Sequence, residues 1–201
     1  MENTTYNLIT LHGEIDQKMH SFKIQNLNKK NISHINSILI DFWNKTPYEG
    51  VRKFITDTFV IPFKIKEFQE LLIHEYNKTN DAEFRWYIGQ AIAEITPHTP
   101  SNIHIIHELI CSRQDLGCVA LIFWLQKTSN QESPNVLKCV LDPHNNAVTN
   151  PALKVLGKIG CSQTIDAIKQ LLLQKPTPEI KKQACKVLKS LEQKNRASHG
   201  D

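Results

Sequence analysis

Asn150-Pro-Ala-Leu-Lys-Val-Leu-Gly-Lys-Ile-Gly160 places apolar or small residues at Ala152, Val155, Leu156 and Ile159. These slots fall at i, i+3, i+4 and i+7, one face of a 3.6-residue helix. The pattern recurs 32 residues downstream at Ala184, Val187, Leu188 and Leu191, and 31 residues upstream at Leu121, Trp124, Leu125 and Thr128. Two further steps of 33 reach Ile88, Ala91, Ile92 and Ile95, then Ile55, Thr58, Phe59 and Pro62. Pro62 has no N–H to donate and predicts a helix end. A second set of apolar residues lies between the copies, where Leu109, Val140 and Leu171 repeat at 31. Two helices per period over five periods predict an all-α array whose helix pairs bury their faces against their neighbours.

The array is expected over residues 31–193, with an extension at 1–30 and a polar tail at 194–201. Runs 6–11 and 22–27 are β-capable; a short hairpin, a stray helix or a flexible lead-in all fit the extension. Asn31 or Ser33 is placed to cap a first helix facing inward through Ile35, Ile38, Leu39 and Phe42. Pro47 suits the first turn of the next helix. Phe68, Leu71, Leu72 and Tyr76 open the second pair, and Asn80 or Asp81 can cap its partner at 84–95. Ile105, Ile106, Leu109 and Ile110 face the third pair, whose second helix, 115–127, is apolar nearly all round. The fourth pair begins at 133–141 and turns through Asp142-Pro-His-Asn-Asn into the opening motif, and Gly160 predicts a left-handed stop. Ile165, Ile168, Leu171 and Leu172 belong to the fifth pair, which continues into 179–191.

Composition narrows the class. The chain has 201 residues, 40% of them hydrophobic, and a net charge of +4. From residue 151 on, ten Lys/Arg stand against four Asp/Glu, whereas the first 150 residues carry 14 against 16. A basic end fits an acidic partner, nucleic acid, or a soluble terminal repeat. Five cysteines without a C-x-x-C predict free thiols in a reducing compartment, hence the cytoplasm. The N-terminus lacks a basic-then-apolar leader, and no apolar run approaches the ~18 residues of a membrane span.

Ala152-Leu-Lys-Val-Leu-Gly-Lys-Ile-Gly160 and Thr177-Pro-Glu-Ile-Lys-Lys-Gln-Ala-Cys-Lys-Val-Leu resemble second helices of short HEAT repeats of the phycobilisome-lyase-like type. Arg85-Trp-Tyr-Ile-Gly-Gln-Ala-Ile92 is similar to an Arg-Trp-x-Ile-Gly-x-Ala-Leu segment of a group of bacterial HEAT-repeat proteins. The resemblance covers roughly residues 33–193 and implies an armadillo-like α-α superhelix, or solenoid, of about five pairs. It implies little about activity. Gln126 and Thr128 replace the Gly and apolar residue of the Leu-Gly-x-Ile motif, which predicts a local distortion in the third pair.

The resemblance also implies that second helices line the concave face, which sorts the remaining residues into rows. The rows are Arg85, Cys118, Thr149 and Lys181; Trp86, Val119, Asn150 and Lys182; and Gln90, Phe123, Lys154 and Lys186. Arg85, Trp86, Gln90, Val119 and Phe123 form the expected protein-binding patch, since Trp and Arg are favoured anchors. The alternative is that Trp86, Val119 and Phe123 pack between adjacent helices. Lys154, Lys181, Lys182, Lys186 and Lys189 form the expected basic face, for nucleic acid or an acidic partner, or else for solubility. His98, His104 and His107 have no Cys or carboxylate at ligand spacing, the cysteines have no local His, and Glu67 and Glu70 suit a solvated face. The expected function is a non-enzymatic, monomeric protein-binding module without cofactor, metal or catalytic residues. Nucleic-acid binding is the alternative, and a bilin-lyase-like activity rests on fold analogy alone.

Overall fold

The computed structural model describes residues 32–128 and 130–197, and among these every regular element is helical. The β-capable runs and the Asn31 cap lie outside the described residues. The chain divides into two units, Met1–Val51 and Arg52–Asp201.

In the first unit α1 (Ile32–Lys45) buries Asn36, Leu39 and Trp43 and leaves Ile38 exposed. The expected stripe through Ile35, Ile38, Leu39 and Phe42 is therefore rotated. Trp43 sets the phase, because an indole removes more apolar area from water than an isoleucine does.

The second unit holds α2 (Glu49–Ile55) from Arg52 onward. This helix continues through a π-helical turn, Thr56–Val60, and a last α-turn, Ile61–Phe63. Lys64 then ends it in the left-handed region at φ 51°. Pro62 is thus inside the last turn rather than just beyond it. The π turn makes this possible: the Ile61 N–H reaches back to Thr56 O, and a widened turn accommodates a residue that has no N–H of its own.

Four helix pairs follow. They are α3 (Gln69–Lys78) with α4 (Ala82–Ile95), α5 (Pro100–Ser112) with α6 (Val119–Leu125), α7 (Ser133–Cys139) with α8 (Asn146–Ile159), and α9 (Ser162–Leu173) with α10 (Pro178–Ala197). Each first helix packs on its partner. The second helices α4, α6, α8 and α10 also pack in succession, as do α3, α5, α7 and α9, giving two ranks. The repeated slots are the buried face: Ile88, Ala91, Ile92, Leu121, Leu125, Ala152, Val155, Leu156 and Ala184 are all at 0% exposure. Leu109, Val140 and Leu171 are buried in the other rank. Each leucine, isoleucine or valine among them contributes about 1.5–3 kcal/mol by leaving water.

The second helices start on a ladder of caps. Asp81 accepts from Phe84 N at 2.7 Å, Asp115 from Gly117 N at 2.9 Å, Asn145 from Val148 N at 3.3 Å and Thr177 from Ile180 N at 3.4 Å. Each satisfies an N–H that the first helical turn leaves orphaned. The ladder also links neighbours, since Asn145 Nδ2 donates to Gln114 O at 3.0 Å and Thr177 N to Pro143 O at 3.0 Å.

Three local expectations are changed or sharpened. Gly160 is extended, with φ −68° and ψ 155°, not left-handed. It is needed for room: a Cβ there would run into Leu156 O and sit 3.1 Å from Thr164 Cγ2. In the third pair, where Gln126 and Thr128 predicted a distortion, the second helix gives way to turns from Gln126 on. That helix spans only 7 residues and is entered by a 3₁₀ turn, Leu116–Cys118. Finally, α10 runs to Ala197, past the expected tail boundary. Lys194 Nζ donates to Gly157 O at 2.9 Å, and Lys194 and Arg196 in the last turn favour the negative end of the helix dipole.

Candidate binding groove on the second helices

Of the first row expected to line the concave face, Arg85, Cys118 and Thr149 are turned into the core and Lys181 is exposed. Arg85 is 3% exposed, and Cys118 and Thr149 are at 0%. Their polar atoms serve the chain itself. Arg85 donates to Tyr76 O at 3.3 Å and to Thr79 O, capping the C-terminal end of α3, and its other arm pairs with Asp115. Cys118 Sγ donates to Asp115 O at 3.1 Å, and Thr149 Oγ1 donates to Asp142 O at 2.8 Å. Burial, with the nearby Asp115 adding to it, pushes the Cys118 thiol up to about 12, so it is no nucleophile at neutral pH. Arg85 therefore leaves the binding patch.

The same corner holds a close backbone approach. A Cβ on Gly89 would overlap Gly117 O, and one on Gly117 would lie 2.7 Å from Arg85 Cγ. Two glycines let α4 meet the 3₁₀ turn at backbone distance, and the Arg85–Asp115 pair closes the junction from inside.

One step round the helices the other two rows reach the surface. Trp86 is 38% and Phe123 40% exposed. Together with Gln90 and Val119 they line an open groove of about 790 Å³ between α4 and α6. Ile61, Lys64, Lys66, Pro97, His98 and Lys127 also line it. The floor is held by Trp124, whose Nε1 donates to Thr96 O at 2.9 Å and whose ring lies 4.8 Å from that of His98. Desolvation, then Lys127 and Lys64, hold His98 below the usual histidine range, which favours a neutral ring there.

Phe123 also borders a second hollow of about 320 Å³, formed with Gln126, Lys154, Lys158, Gln183 and Lys186. The two hollows thus share Phe123 and run across α4, α6, α8 and α10. Lys154 and Lys186 come together there as expected. Lys181, Lys182 and Lys189 are exposed on α10 but line neither hollow.

No family model, curated protein or solved structure matches this chain.

Two groove lysines missed by the three rows were legible in the sequence. Glu94, Lys127, Lys158 and Ser190 follow the same shifts as a fourth row, one turn on from Gln90 and Phe123. Lys64, Lys66 and His98 had no such signal, because they stand in connectors outside the repeat register. Elsewhere, His107 Nε2 lies 3.3 Å from Ser133 Oγ, but Ser133 is at 0% exposure, so no substrate reaches that pair. All five cysteines are free. Among the described residues no three His, Cys, Asp or Glu side chains are grouped to hold a metal, and no helix is long and apolar enough to cross a membrane. The groove offers aromatic and aliphatic contact flanked by cations.

Proposed function

We propose that the chain is a HEAT-like α-α superhelical array acting as a non-enzymatic module that holds a partner protein in the groove on its second helices. The observation that carries this is the placement of Trp86 and Phe123 in one groove with a substantial part of each ring open to solvent. Aromatic anchors in a concave, partly apolar site are the residues from which protein interfaces draw most of their affinity. The two ranks of packed helices support the superhelical reading, and the free cysteines support a cytoplasmic site of action.

The test is affinity capture from the native cell's lysate at low and high salt, with a Trp86→Gln/Phe123→Gln control. The expected result is a protein retained at high salt and lost with the control variant. Nucleic acid alone, released by salt and indifferent to the variant, would contradict the reading, because phosphate contacts weaken steeply with salt while apolar ones do not.

A further inference from the structure

The groove's charge specifies the partner further. Lys64, Lys66 and Lys127 border the first hollow, and Lys154, Lys158 and Lys186 the second. Glu94 is the lone carboxylate lining either one. Among the described residues none of these six lysines pairs with a carboxylate; the ion pairs run Lys45–Asp41, Arg52–Glu75, Arg85–Asp115 and Lys169–Glu192. Resting on the binding-module reading, we infer that the groove takes an extended acidic segment of the partner protein. An aromatic or aliphatic residue of that segment seats between Trp86 and Phe123, and its carboxylates run on towards Lys154, Lys158 and Lys186.

Helix spacing sets the length. Four adjacent second helices give three steps of 8–10 Å, roughly 27 Å, and an extended chain covers that in about eight residues. The lining distinguishes a peptide from a nucleic acid, the other polyanion. Gln90 and Gln183 each carry a donor and an acceptor, which match a peptide group, whereas a phosphate offers acceptors only. Glu94 repels a phosphate chain but accepts from a peptide N–H. No arginine lines either hollow, although its fork is the group best suited to phosphate. The N-termini of α4 and α8 are spanned by Asp81 and Asn145, so their side chains already occupy the anion position.

The experiment is display selection from a library of random peptides about ten residues long, on the parent chain. The enriched peptide is then titrated by fluorescence anisotropy against the parent, Trp86→Gln/Phe123→Gln and Lys154→Glu/Lys186→Glu, with oligo(dT) of similar length as competitor. Each variant is first checked for a parent-like Tm, and Lys158→Glu replaces either lysine change that melts early. The expected outcome is enrichment of acidic peptides with a central aromatic or aliphatic residue. Either double variant weakens binding about tenfold or more, and oligo(dT) fails to displace the peptide. Neutral or basic peptides that still require Trp86 and Phe123 would overturn the charge inference and leave the binding-module reading standing. Enrichment indifferent to Trp86 and Phe123, or no enrichment, would overturn both. Displacement by oligo(dT) at lower concentration than the peptide itself would overturn the inference in favour of nucleic acid.

Discussion

The α4–α6 and α8–α10 junctions are equivalent steps of the repeat built from different materials. At α4–α6 the backbones touch through Gly89 and Gly117, and buried Arg85 ties three segments together. At α8–α10 the register counterparts of Gly89 and Gly117 are Leu153 and Ile180, so that step is filled by side chains, and Gly157 lies one turn further on. A Cβ on Gly157 would meet Val187 at 3.4 Å, ordinary contact, and Thr177–Asn146 and Asn146–Glu179 bonds lie at the surface. The first junction is tight and intolerant and carries the aromatic part of the groove. The second is the more tolerant and carries Lys154, Lys158 and Lys186. One geometry can thus be met by two chemistries, and the tighter junction is the one beside Trp86 and Phe123.

The sharpest way to break this comparison is to add one methyl group to each junction. Gly89→Ala forces α4 away from Gly117 and is expected to cost about 3 kcal/mol or more, seen as a Tm drop of roughly 10 °C. Gly157→Ala is expected to stay within about 1 kcal/mol of the parent, because alanine's better helix propensity offsets the new contact. Equal losses in thermal melts would erase the distinction.

Removing the tie gives the next largest effect. Arg85→Met leaves Tyr76 O and Thr79 O without their donor and Asp115 without its cation, at an expected cost of about 3 kcal/mol. A double-mutant cycle with Asp115→Asn checks the origin, and a coupling near zero would show that Arg85 acts through packing alone. By contrast, Trp86→Gln and Phe123→Gln are expected to cost about 1 kcal/mol each in denaturant titrations, since straight-chain residues keep the helix and cover part of the same ground. A loss matching that of Arg85→Met would move the rings into the core.

What the sequence revealed and concealed follows the same line. The 31–33-residue register located the second helices and their buried slots, because large aliphatic residues at 3.6 spacing leave a helix few orientations. It did not resolve the neighbouring row. Arg85, Cys118 and Thr149 stand about 100° from Trp86, Val119 and Asn150 on the helix, and an arginine reads as a surface residue unless its carbonyl and carboxylate partners are known. Those partners, Tyr76 O, Thr79 O and Asp115, come from other segments. The groove's rim was hidden for a similar reason. Lys64 reaches it through a π turn and a left-handed residue, features that no apolar periodicity encodes. In α1, Trp43 overrode the lighter stripe that the pattern favoured.

The smallest expected effect concerns pH. Burial holds His107 below the usual histidine range, with His104 acting in the same sense and Glu132 opposing. The fold therefore prefers the neutral ring. This contribution is complete above the unfolded value near 6.5 and is lost as pH falls from there towards the folded value. Tm is expected to decline as pH falls below about 6.5, and His107→Gln should flatten part of that slope. An unchanged slope would remove His107 from the account.

The most direct test of the central claim uses the three tryptophans. Trp43 and Trp124 are each 2% exposed and Trp86 38%, so acrylamide reaches chiefly Trp86. Quenching of tryptophan emission is measured with and without a saturating groove-selected peptide. The quenchable component is expected to be strongly reduced and the emission to shift to the blue, with neither change in Trp86→Phe. A peptide that binds while Trp86 stays as quenchable as before would contradict the claim.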